Sequence, residues 1–130
     1  MDDSRNEVLL RFDAPDGRLA VVLEDDGRVA YAYLLADEEI VADVWLYNGA
    51  PTPAEVDFDD EEAMPFLNPR PFASDRQPAA LREDSAVRCR WLEDGVEVSV
   101  DGELLARLHA GDRPGQSRAA AQDGPLARPL

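Results

Sequence analysis

The feature that most constrains this chain is a two-residue rhythm broken at short intervals by acidic residues next to glycine. In Glu7–Asp13 (EVLLRFD), Val8, Leu10 and Phe12 fall on one side, with Leu9, Arg11 and Asp13 on the other. Pro15 and Gly17 then signal a turn, and Arg18–Glu24 (RLAVVLE) puts Leu19, Val21 and Leu23 on one face. Such alternation marks a strand, because successive side chains on a strand point to opposite faces. Asp25–Gly27 (DDG) is a second hairpin signal, since glycine accepts the positive φ of the tight turn that matches strand twist.

The rhythm continues through Arg28–Ala36, where Val29, Tyr31, Tyr33 and Leu35 oppose Ala30, Ala32 and Leu34. In Ile40–Asn48, Ile40, Ala42, Val44 and Leu46 oppose Val41, Asp43, Trp45 and Tyr47. Both faces of these two strands are largely apolar, so both are expected to be covered. Three further strands follow after residue 85. Val87, Cys89 and Trp91 are expected inward and Arg88 and Arg90 outward. Val96, Val98 and Val100 follow suit, and past the Asp101-Gly102 turn so do Leu104, Ala106 and Leu108. The expected fold is mainly β: a single domain over 1–130, an antiparallel β-sandwich or partly open barrel of about seven strands. The strands occupy about 7–47 and 86–110. Between them runs a long Pro-rich acidic connection, 48–85, with a short helical turn near Pro78–Arg82, and a tail covers 111–130. The connection carries six of the ten prolines, and a loop this long in a small domain is usually functional or disordered.

Charge narrows the function classes. The chain has 28 acidic residues against 13 basic ones, a formal charge of −15, and all its basic residues are arginine. A field of that sign repels nucleic acid and anionic membranes and attracts basic proteins. Without lysine there is no Schiff-base chemistry. The polar, acidic start and the absence of a long apolar run give neither a signal peptide nor a membrane-spanning helix. A single cysteine, Cys89, allows no intrachain disulfide, and the expected location is cytoplasmic.

No catalytic set emerges. Cys89 shares a face with Val87 and Trp91 and reads as inert. His109 is the only histidine, and no serine sits in a nucleophile elbow. One cysteine and one histidine cannot build a structural zinc site. Asp57, Asp59 and Glu61 imitate the start of a calcium loop, but Glu62 stands where glycine is required and Asn68 where the closing glutamate belongs. No metal or cofactor is expected. Asp43, between Val41 and Trp45 on an apolar face, needs a partner such as Arg88 or Arg90. The densest feature is Glu55–Glu62, where Asp57, Asp59, Asp60, Glu61 and Glu62 surround Phe58 and lead to Met64 and Phe66. Acids beside aromatic residues suit a docking site for a basic partner; the plain alternative is a solvated loop.

Three stretches, DVWLYN (43–48), MPFLNP (64–69) and the tail ending GPLARPL (124–130), resemble a group of small acidic bacterial proteins of unassigned function. In size, acidity and expected location the chain is also similar in type to immunity proteins. Three functional readings follow. The first is a non-enzymatic acidic binding protein, immunity- or antitoxin-like, contacting a basic protein through Asp57, Phe58, Asp59, Asp60, Glu61, Glu62 and Phe66. The second is a ligand-binding or enzymatic cavity lined by Tyr31, Tyr33, Asp43, Trp45 and Tyr47. The third is a subunit that buries the second apolar face of strands three and four in a homodimer.

Overall fold

The computed structural model describes residues 7–130; the acidic start MDDSRN lies outside the described residues. Nine strands form two sheets. β1 (Val8–Asp13), β2 (Leu19–Asp25), β3 (Val29–Ala36) and β4 (Glu39–Asn48) make a four-stranded antiparallel meander. β5 (Val87–Trp91), β6 (Gly95–Val100) and β7 (Glu103–His109) make the second meander. Two short tail strands extend it, β8 (Gln116–Ser117) and β9 (Arg128–Pro129), with the β8–β9 pair parallel. The described residues are mainly β with no closed barrel, and the seven expected strands are all present.

The turns follow from their residues. Gly17 and Gly27 take positive φ, and Asp25 and Asp26 cap the second turn by accepting backbone N–H bonds from Gly27, Arg28 and Val29. Asp101-Gly102 has both residues at positive φ, as a type I′ hairpin requires. The β3–β4 turn needs the same geometry of Asp37 and Glu38, for which no glycine is supplied. There the Glu38 carboxylate is held by Arg11 at 2.6 and 2.9 Å, which offsets part of the backbone cost. Gly95 closes the β5–β6 turn, its carbonyl accepting from Leu92 N–H, and serves a second purpose. It lies within β6, and a Cβ there would stand 2.2 Å from the Leu108 carbonyl oxygen, so it permits a close backbone approach.

One core joins the sheets. Val21, Leu23, Leu34 and Val44 from the first sheet are fully buried, as are Val96, Val98 and Leu108 from the second. The sheets approach most closely where β4 meets β7 and β8. Three register shifts alter the expected faces; the first, in β4, pairs Leu34 with Ala42 but Leu35 with Ile40, so Val41 is an extra residue and Ile40 leaves the face of Ala42 and Val44 for an exposed position. In β4, Ala30 pairs with Tyr47 while Tyr31 pairs with Trp45, so Leu46 is an extra residue and Tyr47 turns to the face opposite Trp45. In β7, Val98 pairs with Ala106 but Ser99 with Leu104. Leu104 therefore leaves the inward set, and Leu105 is buried in its place.

The tail is ordered. The free edge of β4 is bonded by it: Gly111 N–H donates to Val41 O, Asp43 N–H to Asp112 O, Gly115 N–H to Asp43 O and Trp45 N–H to Leu126 O. On the other side Arg118 N–H donates to Leu105 O of β7. The tail thus braces both sheets and blunts an edge that would otherwise template aggregation.

Candidate functional site

The connection does not wander. It covers the outer face of β3 and β4, and asparagine chemistry fixes it there. Asn48, at the end of β4, accepts from Trp45 Nε1 and from Asn68 N–H through one carbonyl oxygen, each at 2.9 Å. Its amide nitrogen donates to Thr52 Oγ1 at 3.1 Å and to Asn68 O at 2.9 Å. Tyr31 donates its hydroxyl to Phe66 O at 2.7 Å. Arg28 reaches across to the carbonyls of Ala63 and Pro65. Three quoted stretches, DVWLYN, MPFLNP and the tail, therefore meet in space, the tail through Leu126 on Trp45 and Ala119 and Ala121 against Ser74 and Phe72. The apolar second face of β3 and β4 is covered by the chain itself, so the burial sought from a homodimer is supplied internally. No helical turn forms at Pro78–Arg82, where Leu81 is buried and donates its N–H to Tyr47 Oη. Among the described residues the one helical element is a 3-10 turn at Glu61–Ala63, capped by Asp60, whose carboxylate accepts from Glu62 N–H.

This arrangement dissolves the expected aromatic cavity. Tyr31 and Tyr33 stack with ring centroids 6.1 Å apart and border only a 60 Å³ recess beside Pro65. Burial pushes Tyr33 up to about 12 and raises Tyr31 further. Trp45 is 0% exposed and packed. Tyr47, on the opposite face, donates to the buried Asp25 carboxylate at 2.6 Å. These residues do not share one pocket.

Asp43 is half-buried at the sheet edge, and its partner is Arg113 at 3.5 Å rather than Arg88 or Arg90. The tail strand bonded to β4 delivers Arg113 there, whereas β5 lies at the far edge of the other sheet. Desolvation raises the Asp43 pKa and Arg113 only partly opposes it. An acid whose folded pKa lies above its unfolded value costs stability when ionised, and the cost disappears as pH falls through the folded pKa. Asp43→Asn is accordingly expected to raise the urea midpoint at about pH 7, with the gain shrinking toward about pH 3.5. A midpoint lowered at about pH 7, with the loss fading toward about pH 3.5, would show that the Arg113 contact dominates instead.

The other chemical candidates are quiet. Burial pushes the half-buried Cys89 thiol up to about 11, which keeps it protonated and unreactive at neutral pH. His109 is exposed on the surface. Arg90 and Arg107 both pair with Glu97, at 3.2 and 2.9 Å, and hold its pKa down. Among the described residues no three His, Cys, Asp or Glu side chains converge to hold a metal ion, and no helix is long and apolar enough to cross a membrane.

What stands out is the acidic segment. Glu55, Asp57, Asp59, Asp60, Glu61 and Glu62 are all exposed. Elsewhere some arginines pair with acids: Arg11 with Glu38 and Asp13, Arg82 with Asp84, Arg118 with Glu103, Arg128 with Asp112. Among the described residues no ion pair reaches the six acids of this segment. Phe58 lies beside them and packs edge-on against Phe66, centroids 5.2 Å apart. Met64 projects nearby, 58% exposed. Phe58 and Phe66 are thus brought together with the acids, while Phe66 also helps hold the loop, as its carbonyl accepts from Tyr31. Comparison with protein-family models, curated proteins and solved structures gave no match to this chain.

Proposed function

We propose that this protein is a non-enzymatic binding protein that docks a basic protein partner through Asp57, Phe58, Asp59, Asp60, Glu61, Glu62 and Phe66, in the manner of an immunity or antitoxin-like inhibitor. The observation that carries the reading is the clustering: six exposed acids fall between Glu55 and Glu62, none in an ion pair among the described residues, beside exposed Phe58 and Met64. An unscreened cluster of this kind accelerates encounter with a positive surface, and exposed Phe58 and Met64 supply apolar anchors next to it. The cavity-based alternative loses its support with the separation of Tyr47 from Tyr31, Tyr33 and Trp45.

The test is affinity capture from the source cell at about 50 mM and about 300 mM salt, repeated with the captured protein in purified form. The partner is expected to be basic and held more weakly at high salt. Lysine at positions 57, 59, 60 and 61 together (Asp57→Lys, Asp59→Lys, Asp60→Lys, Glu61→Lys) is expected to abolish retention while leaving the circular dichroism unchanged. Binding that ignores this charge reversal would falsify the docking role.

A further inference from the structure

Beside the acidic segment lies a groove of about 230 Å³. Its lining divides by exposure. Val56, Phe66 and Leu67 are half-buried and present apolar surface, whereas Glu55, Asp57 and Asp60 are exposed. Arg28 also borders it, with its guanidinium committed to the carbonyls of Ala63 and Pro65, so it holds one wall in place. Three carboxylates against one engaged guanidinium leave the groove net negative.

We infer that this groove receives a single arginine side chain of the basic partner. The inference rests on the docking reading and says how that docking is made specific. An arginine fits both halves of the lining: its aliphatic stem covers apolar surface while its charged head reaches the acids. The planar guanidinium bonds carboxylates in pairs and lies favourably over an aromatic face, here Phe66, and it is more weakly hydrated than an ammonium. A wholly apolar guest would strip water from three carboxylates with nothing in return.

The probes are three blocked pentapeptides, Gly-Gly-Xaa-Gly-Gly, with arginine, lysine or uncharged citrulline at the centre. They are titrated into the full chain and followed by backbone amide NMR. The arginine peptide is expected to shift the amides of Val56, Asp57, Phe66 and Leu67, with the lysine peptide about tenfold weaker and citrulline weaker still. Val56→Trp fills the groove and leaves every carboxylate in place, and it is expected to erase the preference for arginine over lysine. Equal binding of arginine and lysine peptides to the natural chain, or no shift with any of them, overturns the groove assignment. That comparison decides the matter even if the tryptophan variant does not fold. The docking reading is judged separately, by the salt-dependent capture and its loss on charge reversal.

Discussion

Asn48→Ala is expected to lower the stability of the fold by on the order of 3–5 kcal/mol, measured as a drop in the urea unfolding midpoint with an unchanged slope. The magnitude comes from the partners left behind. The Trp45 indole N–H has no route to water, since Trp45 is fully buried, and Asn68 N–H loses the same acceptor. The Asn68 carbonyl and Thr52 hydroxyl lose a donor. An orphaned buried donor costs about 1–3 kcal/mol. Against a typical domain stability of about 5–15 kcal/mol, the sum is a large fraction. The substitution also frees the connection from β4, so tryptophan fluorescence is expected to shift toward that of exposed indole. Asn68→Leu serves as the comparison. Its side-chain amide is fully buried and makes none of these four bonds, two of which use the Asn68 backbone and the others Trp45 and Thr52, so it is expected to cost markedly less. Equal losses from the two substitutions would mean that the Asn48 hub is not what fixes the connection.

The two asparagines show where a sequence becomes opaque. Each closes an aromatic-rich stretch, DVWLYN and MPFLN, and nothing local distinguishes the hub from the residue it holds. The strands were legible because alternation is a property of a few consecutive residues, and because Gly17, Gly27 and Gly102 mark turns by a steric rule. The faces of β4 were legible only between Ala42 and Trp45. The extra residue at Leu46 is decided by pairing with β3 and by the bond from Tyr47 to Asp25, two residues 22 apart in the chain. The same limit hid the partner of Asp43, because Arg113 arrives through a tail whose Pro- and Gly-rich composition reads as loop. The exposure of Asp57–Glu62 was legible from its charge density alone. The groove behind it was not, since it needs Arg28 from the β2–β3 turn to hold Ala63 and Pro65.

That tail gives the second large effect. Removal of residues 116–130 is expected to abolish cooperative unfolding, leaving a chain that expresses largely insoluble. Ser117, Ala119, Ala120 and Ala127 are buried, so the segment is part of the core and not an appendage. Its loss takes away Leu126 from the Trp45 N–H, Arg118 from the Leu105 carbonyl, and the bonds that tie Ala119 and Ala121 to Ser74 and Phe72. β7 then presents an unpaired edge and β4 loses its partner at Trp45, on apolar segments, the condition under which sheets recruit other chains. The lost stabilisation is comparable to the whole of the roughly 5–15 kcal/mol a domain of this size possesses. Ala127→Asp, placing a charge where the side chain is fully buried, is expected to reproduce much of the loss without removing any backbone. A truncated chain that stays soluble and melts within a few degrees of the full chain would show that the two sheets hold together without their shared brace. The seam between β4 and β7 would then have to be carried by the side chains of the shared core, Val44, Leu46, Ala106 and Leu108 among them.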